Sequence, residues 1–131
     1  LMSSFRHPTK AAVVAIHKEV LAAHGGSEGI RSEDLLEPAI AAPQATMGGE
    51  PLLKDPLEIA SANLFYLCSN HPFVDGNKRV ALATCLVFLD RNGLLPNPVL
   101  ETEPWLNFTL QVASGELKRS DVADRLRELL T

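Results

Sequence analysis

Residues 71–79 read His-Pro-Phe-Val-Asp-Gly-Asn-Lys-Arg, and an apolar run follows at residues 80–89. The run predicts a helix beginning at Asn77, which puts Lys78 and Arg79 in its first turn. A helix N-terminus is electropositive and favours acidic neighbours, so each cation there costs a few tenths to about 1 kcal/mol unless an anion joins it. Free backbone N–H groups, a helix dipole, a lysine and an arginine together make a phosphate site. Gly76 lets the chain turn tightly and approach a ligand closely. Asp75 would repel a phosphate held so near. A Mg²⁺ ion between them removes that conflict, because Mg²⁺ uses one or two carboxylates together with phosphate oxygens. His71 carries an imidazole, the side chain best suited to proton transfer near neutral pH. It is the candidate base for an attacking hydroxyl. Phe73 is the apolar anchor that pins the loop to the core.

Each feature taken singly has a plainer reading. A histidine after a helix is usually a hydrogen-bonded turn residue, and Asp-Gly is a common turn dipeptide. Lys78 and Arg79 fit a solvated surface equally well. The functional reading rests on all of them falling within nine residues, just before a helix with no polar face.

The elements that must position this loop read as helices joined by short connections, an all-α fold. Residues 9–24 carry Val13, Ile16, Val20 and Leu21 at helical spacing, and Gly25-Gly26 stop the helix. Ser32 caps a second helix, Glu33 and Asp34 suit its N-terminus, and Pro38 kinks it or lies near its start. Residues 43–54 read as a loop or flap. Asp55-Pro56-Leu57-Glu58 starts a third helix, running to about Asn70 with Leu57, Ala60, Leu64, Leu67 and Cys68 inward. The helix over residues 77–92 is apolar nearly all round, which places it at the centre, and Gly93 ends it. Residues 102–114 form a helix with Trp105, Phe108 and Leu110. Ser120 caps the last helix, which turns Val122, Leu126 and Leu129 inward. The expectation is one compact bundle of about six helices around residues 77–92.

Composition narrows the function classes. The chain has 131 residues, which fits a single domain over residues 1–131 with one real core. Leu1 precedes Met2 and reads as a remnant of cloning. Hydrophobic residues make up 46% and charged residues 21%, so disorder is not expected. Twelve Lys and Arg against sixteen Asp and Glu give a net charge of −4, which argues against direct nucleic-acid binding. The apolar run falls far short of the ~20 residues a membrane span needs. The opening residues do not read as a signal peptide, so none is expected. Cys68 and Cys85 lie in apolar segments, which suits core thiols in the cytoplasm. No His/Cys cluster suggests zinc.

The nine-residue segment resembles the active-site motif of the Fic/Doc superfamily, and more closely that of the death-on-curing (Doc) toxins of bacterial type II toxin–antitoxin systems. Further similarity runs through Ile16-His17, His24-Gly25-Gly26, Gly29-Ile30-Arg31, Leu35-Leu36, Pro43-Gln44 and Phe88-Leu89-Asp90-Arg91-Asn92-Gly93. It covers most of the chain. Fic-type enzymes that transfer AMP generally have Gly directly after the motif Asn, and a second Arg three residues beyond the motif Arg. Here those positions are Lys78 and Leu82. Doc-type toxins share the lysine, and the resemblance implies that they bind ATP in the reverse sense and transfer its γ-phosphate. Val80 departs from the Thr found in many relatives.

The resemblance assigns roles residue by residue. His71 is the general base toward a Ser or Thr hydroxyl. Asp75 holds Mg²⁺ and helps orient the acceptor. Gly76, Asn77, Lys78 and Arg79 bind the phosphates of ATP. The implied substrate is elongation factor Tu, and the implied effect is arrested translation. The nearest candidate for an internal inhibitory motif, residues 46–50, runs into Pro51, so inhibition is expected in trans. The implied partner is a Phd-like antitoxin, laid as a helix into a groove bordered by the first helix and residues 43–54. Two other readings stay open: a Fic-type protein adenylyltransferase using the same His71, and a non-catalytic antitoxin-binding module.

Overall fold

A computed structural model describes residues 5–95 and 102–131. Leu1, read above as a cloning remnant, lies outside the described residues. Among those described, six helices carry the fold and the only sheet is one two-stranded hairpin.

Helix α1 (Lys10–His24) is capped by Thr9, whose hydroxyl accepts the Ala12 N–H at 3.1 Å. Helix α2 (Glu33–Ala41) runs through Pro38 and tightens into a 3₁₀ turn at Ala42–Gln44. Its expected cap, Ser32, makes no side-chain bond to the helix, which leaves Glu33 and Asp34 to complement the dipole. Residues 43–54 are more ordered than a plain loop. Strands β1 (Thr46–Met47) and β2 (Glu50–Pro51) pair antiparallel across Gly48-Gly49. Both glycines have positive φ, 59° and 81°, the geometry a two-residue hairpin turn demands.

Helix α3 (Pro56–Asn70) starts as expected. Asp55 accepts the Leu57 N–H at 2.9 Å, and Pro56 fills the first turn. Helix α4 (Asn77–Arg91) packs along it, and the two form the centre of the bundle. Helices α5 (Thr102–Ala113) and α6 (Arg119–Leu130) close the remaining sides of α3, while α1 lies on α4. The last helix begins at Arg119, two residues earlier than a Ser120 cap would place it. Lys118 occupies the cap position, with no side-chain cap bond.

The core is continuous. Val13, Leu36, Leu64, Val80, Leu89, Phe108, Val122 and Leu126 are fully buried in it. Burial of α3 extends nearly all round its middle, so even Ser61 and Asn63 are inside, bonded to the Glu58 and Ile59 carbonyls. Helix α4 buries Val80, Ala81, Thr84, Cys85, Phe88 and Leu89, and leaves Leu82, Ala83, Leu86 and Val87 half-buried. Consequently α3 shares the centre with α4. This arrangement brings the C-terminus of α3 and the N-terminus of α4 together across residues 71–76.

Asp55 has a second role. Its other carboxylate oxygen accepts Arg127 Nη2 at 3.0 Å, joining α6 to the start of α3. Asp55→Ala loses both the cap and the pair and is expected to cost about 1–2 kcal/mol. Arg127→Ala, which loses only an exposed pair, is expected to cost less than about 1 kcal/mol. Urea denaturation of the two variants checks the order, and equal losses would contradict it.

Candidate active site

The loop between α3 and α4 is built around a turn that ordinary residues avoid. Helix α3 ends at His71, which takes a left-handed conformation (φ 49°, ψ 55°). It is the one non-glycine residue at positive φ among those described. Such a conformation costs about 1–2 kcal/mol for an L-residue, so surrounding bonds must hold it. Pro72 follows, and a residue before proline is biased against continuing a helix.

Those bonds come from the segment before α2. The Pro72 carbonyl accepts the N–H groups of Arg31 and Ser32 at 2.7 and 3.1 Å, and Val74 N–H donates to Gly29 at 3.0 Å. Ile30 and Phe73 thereby form an antiparallel bridge. The Arg31 guanidinium donates to the carbonyls of His71 (2.8 Å) and Asn70 (3.1 Å). Phe73 is buried, the anchor expected of it. Its ring stacks on His17 with centroids 4.0 Å apart and planes 11° off parallel.

His17 is itself buried, and its Nε2 lies 2.9 Å from the Asp75 carbonyl oxygen. A carbonyl can only accept, so Nε2 carries the proton and donates. Asn77 clamps the loop from the other side. Its side-chain oxygen accepts Phe73 N–H at 2.9 Å and its amide donates to Phe73 O at 3.0 Å. Both polar ends of the Asn77 side chain are therefore engaged within the loop, and its free group toward a ligand is the backbone N–H.

Helix α4 starts without a cap. Gly76 stands at the cap position in left-handed geometry (φ 79°), and no side chain bonds to the first turn. The first intrahelical bond is Val80 N–H to Gly76 O, at 2.9 Å. The N–H groups of Asn77, Lys78 and Arg79 thus have no intrahelical acceptor. All three residues line one cleft.

That cleft has a volume of about 470 Å³ and gathers all six residues singled out in the sequence: His71, Asp75, Gly76, Asn77, Lys78 and Arg79. Leu82, Leu106 and Leu110 form its apolar wall. A second groove of about 710 Å³ shares His71, Lys78 and Leu110 and continues along the polar side of α5. Lys78 and Leu82 both line the first cleft.

Asp75 accepts Gly76 N–H at 2.8 Å through Oδ1 and Ser27 N–H at 3.2 Å through Oδ2. Each oxygen retains a lone pair, and among the described residues no other carboxylate lines the cleft. Among the described residues no three His, Cys, Asp or Glu side chains cluster to hold a metal. One carboxylate next to unpaired N–H donors and two cations would suit Mg²⁺ held together with a phosphate, since that ion relies on few protein ligands. Cys68 and Cys85 are no nucleophiles here. Burial pushes both thiols up to about 12, and Lys78 only partly offsets this at Cys68.

Four further residues shape the site without having been singled out for it in the sequence: His17, Ser27, Arg31 and Gly26, the last read there only as part of a helix stop. For His17 a signal existed, because a histidine four residues after Val13 on an inward stripe needs a buried partner. Gly26 has φ +125°, and a Cβ there would lie 2.8 Å from Asp75 Oδ2 and 2.9 Å from Leu21 Cδ2. Gly25 also has positive φ, but its Cβ would meet nothing within 4 Å. Gly26→Ala is therefore expected to cost at least about 1 kcal/mol more than Gly25→Ala, because it displaces the Asp75 carboxylate as well as straining the backbone. Chemical denaturation of both variants measures the difference, and equal losses would mean that Asp75 does not need that space.

Comparison with known proteins agrees with this geometry. The model of the Fic/DOC family matches residues 7–89. Protein kinase doc of Escherichia phage P1 is 33% identical over 124 residues, covering 95% of this chain and 95% of that protein. Toxin Doc of Mycolicibacterium smegmatis (strain ATCC 700084 / mc(2)155) is 43% identical over 72 residues, 55% of each chain. With the motif loop, the helical bundle and the full-length similarity in agreement, the chain belongs to the Fic/Doc family and is a toxin of the Doc type.

Proposed function

We propose that this Doc-type kinase transfers the γ-phosphate of ATP to a Ser or Thr hydroxyl of a translation factor, elongation factor Tu, and so halts translation. The observation that carries this reading is the pairing of Lys78 and Leu82 in the cleft of His71 and Asp75. Lys78 fills the place that AMP-transferring relatives leave to Gly, and Leu82 offers no second cation to phosphate.

His71 takes the proton from the hydroxyl while its oxygen attacks the γ-phosphorus. The bond from that phosphorus to the bridging oxygen breaks, and ADP leaves with the electron pair. Phosphoryl transfer needs positioning and charge stabilisation more than covalent help from the enzyme. The free N–H groups of Asn77, Lys78 and Arg79, the backbone at Gly76 and the two cations supply both. Asp75 would hold Mg²⁺, which neutralises phosphate charge when bound.

An antitoxin is the partner expected of a Doc toxin. We take it as Phd-like, covering the cleft with an amphipathic helix against Leu82, Leu106 and Leu110. Leu106 and Leu110 are exposed one helical turn apart, as a helix-in-groove contact requires. Because α5 borders this wall, that site differs from a groove between α1 and residues 43–54. No described helix is long and apolar enough to cross a membrane. The bacterial cytoplasm, where translation factors reside, is the proposed location.

The test incubates the chain with Mg²⁺, elongation factor Tu and ATP labelled on the γ- or α-phosphate. Transfer is expected from the γ position alone, and His71→Ala should slow it by about 10²–10⁴-fold. Transfer from the α position would mean that Lys78 does not reverse the nucleotide. Antitoxin in excess should stop the reaction.

A further inference from the structure

We infer that Arg31 is the positioning residue for the general base His71. This rests on the proposed role of His71, and it concerns what fixes that side chain in place. Arg31 holds three successive carbonyls. Its Nε donates to His71 O at 2.8 Å, its Nη2 to Asn70 O at 3.1 Å, and its own backbone N–H to Pro72 O at 2.7 Å. The three lie on both sides of the point where α3 ends.

Helices commonly end in a left-handed residue, and that residue is usually glycine. Here it is His71, which the chemistry requires to carry an imidazole. The residue cannot be relaxed to glycine, so the bonds that fix its backbone come from another segment. A guanidinium is suited to this, because its planar fork donates in two fixed directions at once. A lysine ammonium is a point donor and cannot reproduce both bonds with the same geometry. Ser32 N–H shares the Pro72 carbonyl at 3.1 Å and the Asn70 side chain donates to Leu35 O at 3.0 Å, but neither bonds the His71 carbonyl, and the other anchors act further along the chain. Asn77 holds the backbone of Phe73, and His17 holds the carbonyl of Asp75. Among the described residues, Arg31 alone donates to the carbonyls of both Asn70 and His71. It lies outside the residues lining the cleft and acts through His71.

The experiment compares the full-length wild type, Arg31→Ala and Arg31→Lys by rate of γ-phosphate transfer and by the NMR resonance of the His71 ring. Arg31→Ala is expected to lower kcat about 10- to 100-fold through misplacement of the base. The KM for ATP should stay within about threefold, since phosphate binding is untouched. Arg31→Lys should fall between, and millimolar guanidinium should restore part of the activity of Arg31→Ala. The ring resonance, single in the wild type, should broaden or split in Arg31→Ala while the amide spectrum remains that of a folded protein. An unchanged kcat in folded Arg31→Ala would overturn the proposal, as would a loss that tracks unfolding and ignores guanidinium. Absence of transfer by the wild type would count against the proposed function instead. The His71 resonance would then decide the positioning role, an unaltered ring signal in Arg31→Ala overturning it.

Discussion

The uncapped N-terminus of α4 is the constraint around which the rest is arranged. Three N–H groups without intrahelical acceptors stand beside Lys78 and Arg79, where dipole and side chains have the same sign. Left alone, that end of the helix is unfavourable. An anion reverses the balance, because backbone donors and cations then act together on it. The helix that presents this end must also be rigid. Packing against α3 on one side and α1 on the other, with Val80, Ala81 and Thr84 buried directly behind the first turn, provides that rigidity.

The loop over residues 71–76 gains its shape from outside itself. Five short contacts surround it: the Ile30 bridge, the Arg31 guanidinium, the stacked and hydrogen-bonded His17, the Ser27 N–H on Asp75, and the two-ended Asn77 clamp. Four of the five come from α1 and the segment that leads from it to α2. That part of the chain therefore contributes to the site without presenting a reacting group. Glycine at position 26 belongs to the same scheme, since the space a Cβ would take is occupied by the Asp75 carboxylate.

The helices were legible because their boundaries are written in local chemistry. Thr9, Asp55 and Gly93 mark ends that hydrogen bonding and backbone freedom impose. The six residues that line the cleft were legible for a related reason, lying within nine positions and breaking a local electrostatic rule together. Other features were hidden by their non-local origin. Nothing near Arg31 in sequence shows that its partners are residues 70–72, and Ser120 looks like a cap although the helix already starts at Arg119. The Gly48-Gly49 hairpin was readable from its dipeptide, yet with two-residue strands it left no alternation to count. The all-round burial of α3 was masked by Ser61 and Asn63, polar residues that satisfy themselves within their own helix.

If the first turn of α4 is the phosphate site, backbone amide NMR during titration with Mg²⁺–ATP will show it. Saturable shifts of the Asn77, Lys78 and Arg79 amides are expected with one common affinity, and smaller changes elsewhere in α4. Saturable shifts at other amides, with those three unmoved, would place the nucleotide away from the α4 terminus and rule out a phosphate site there.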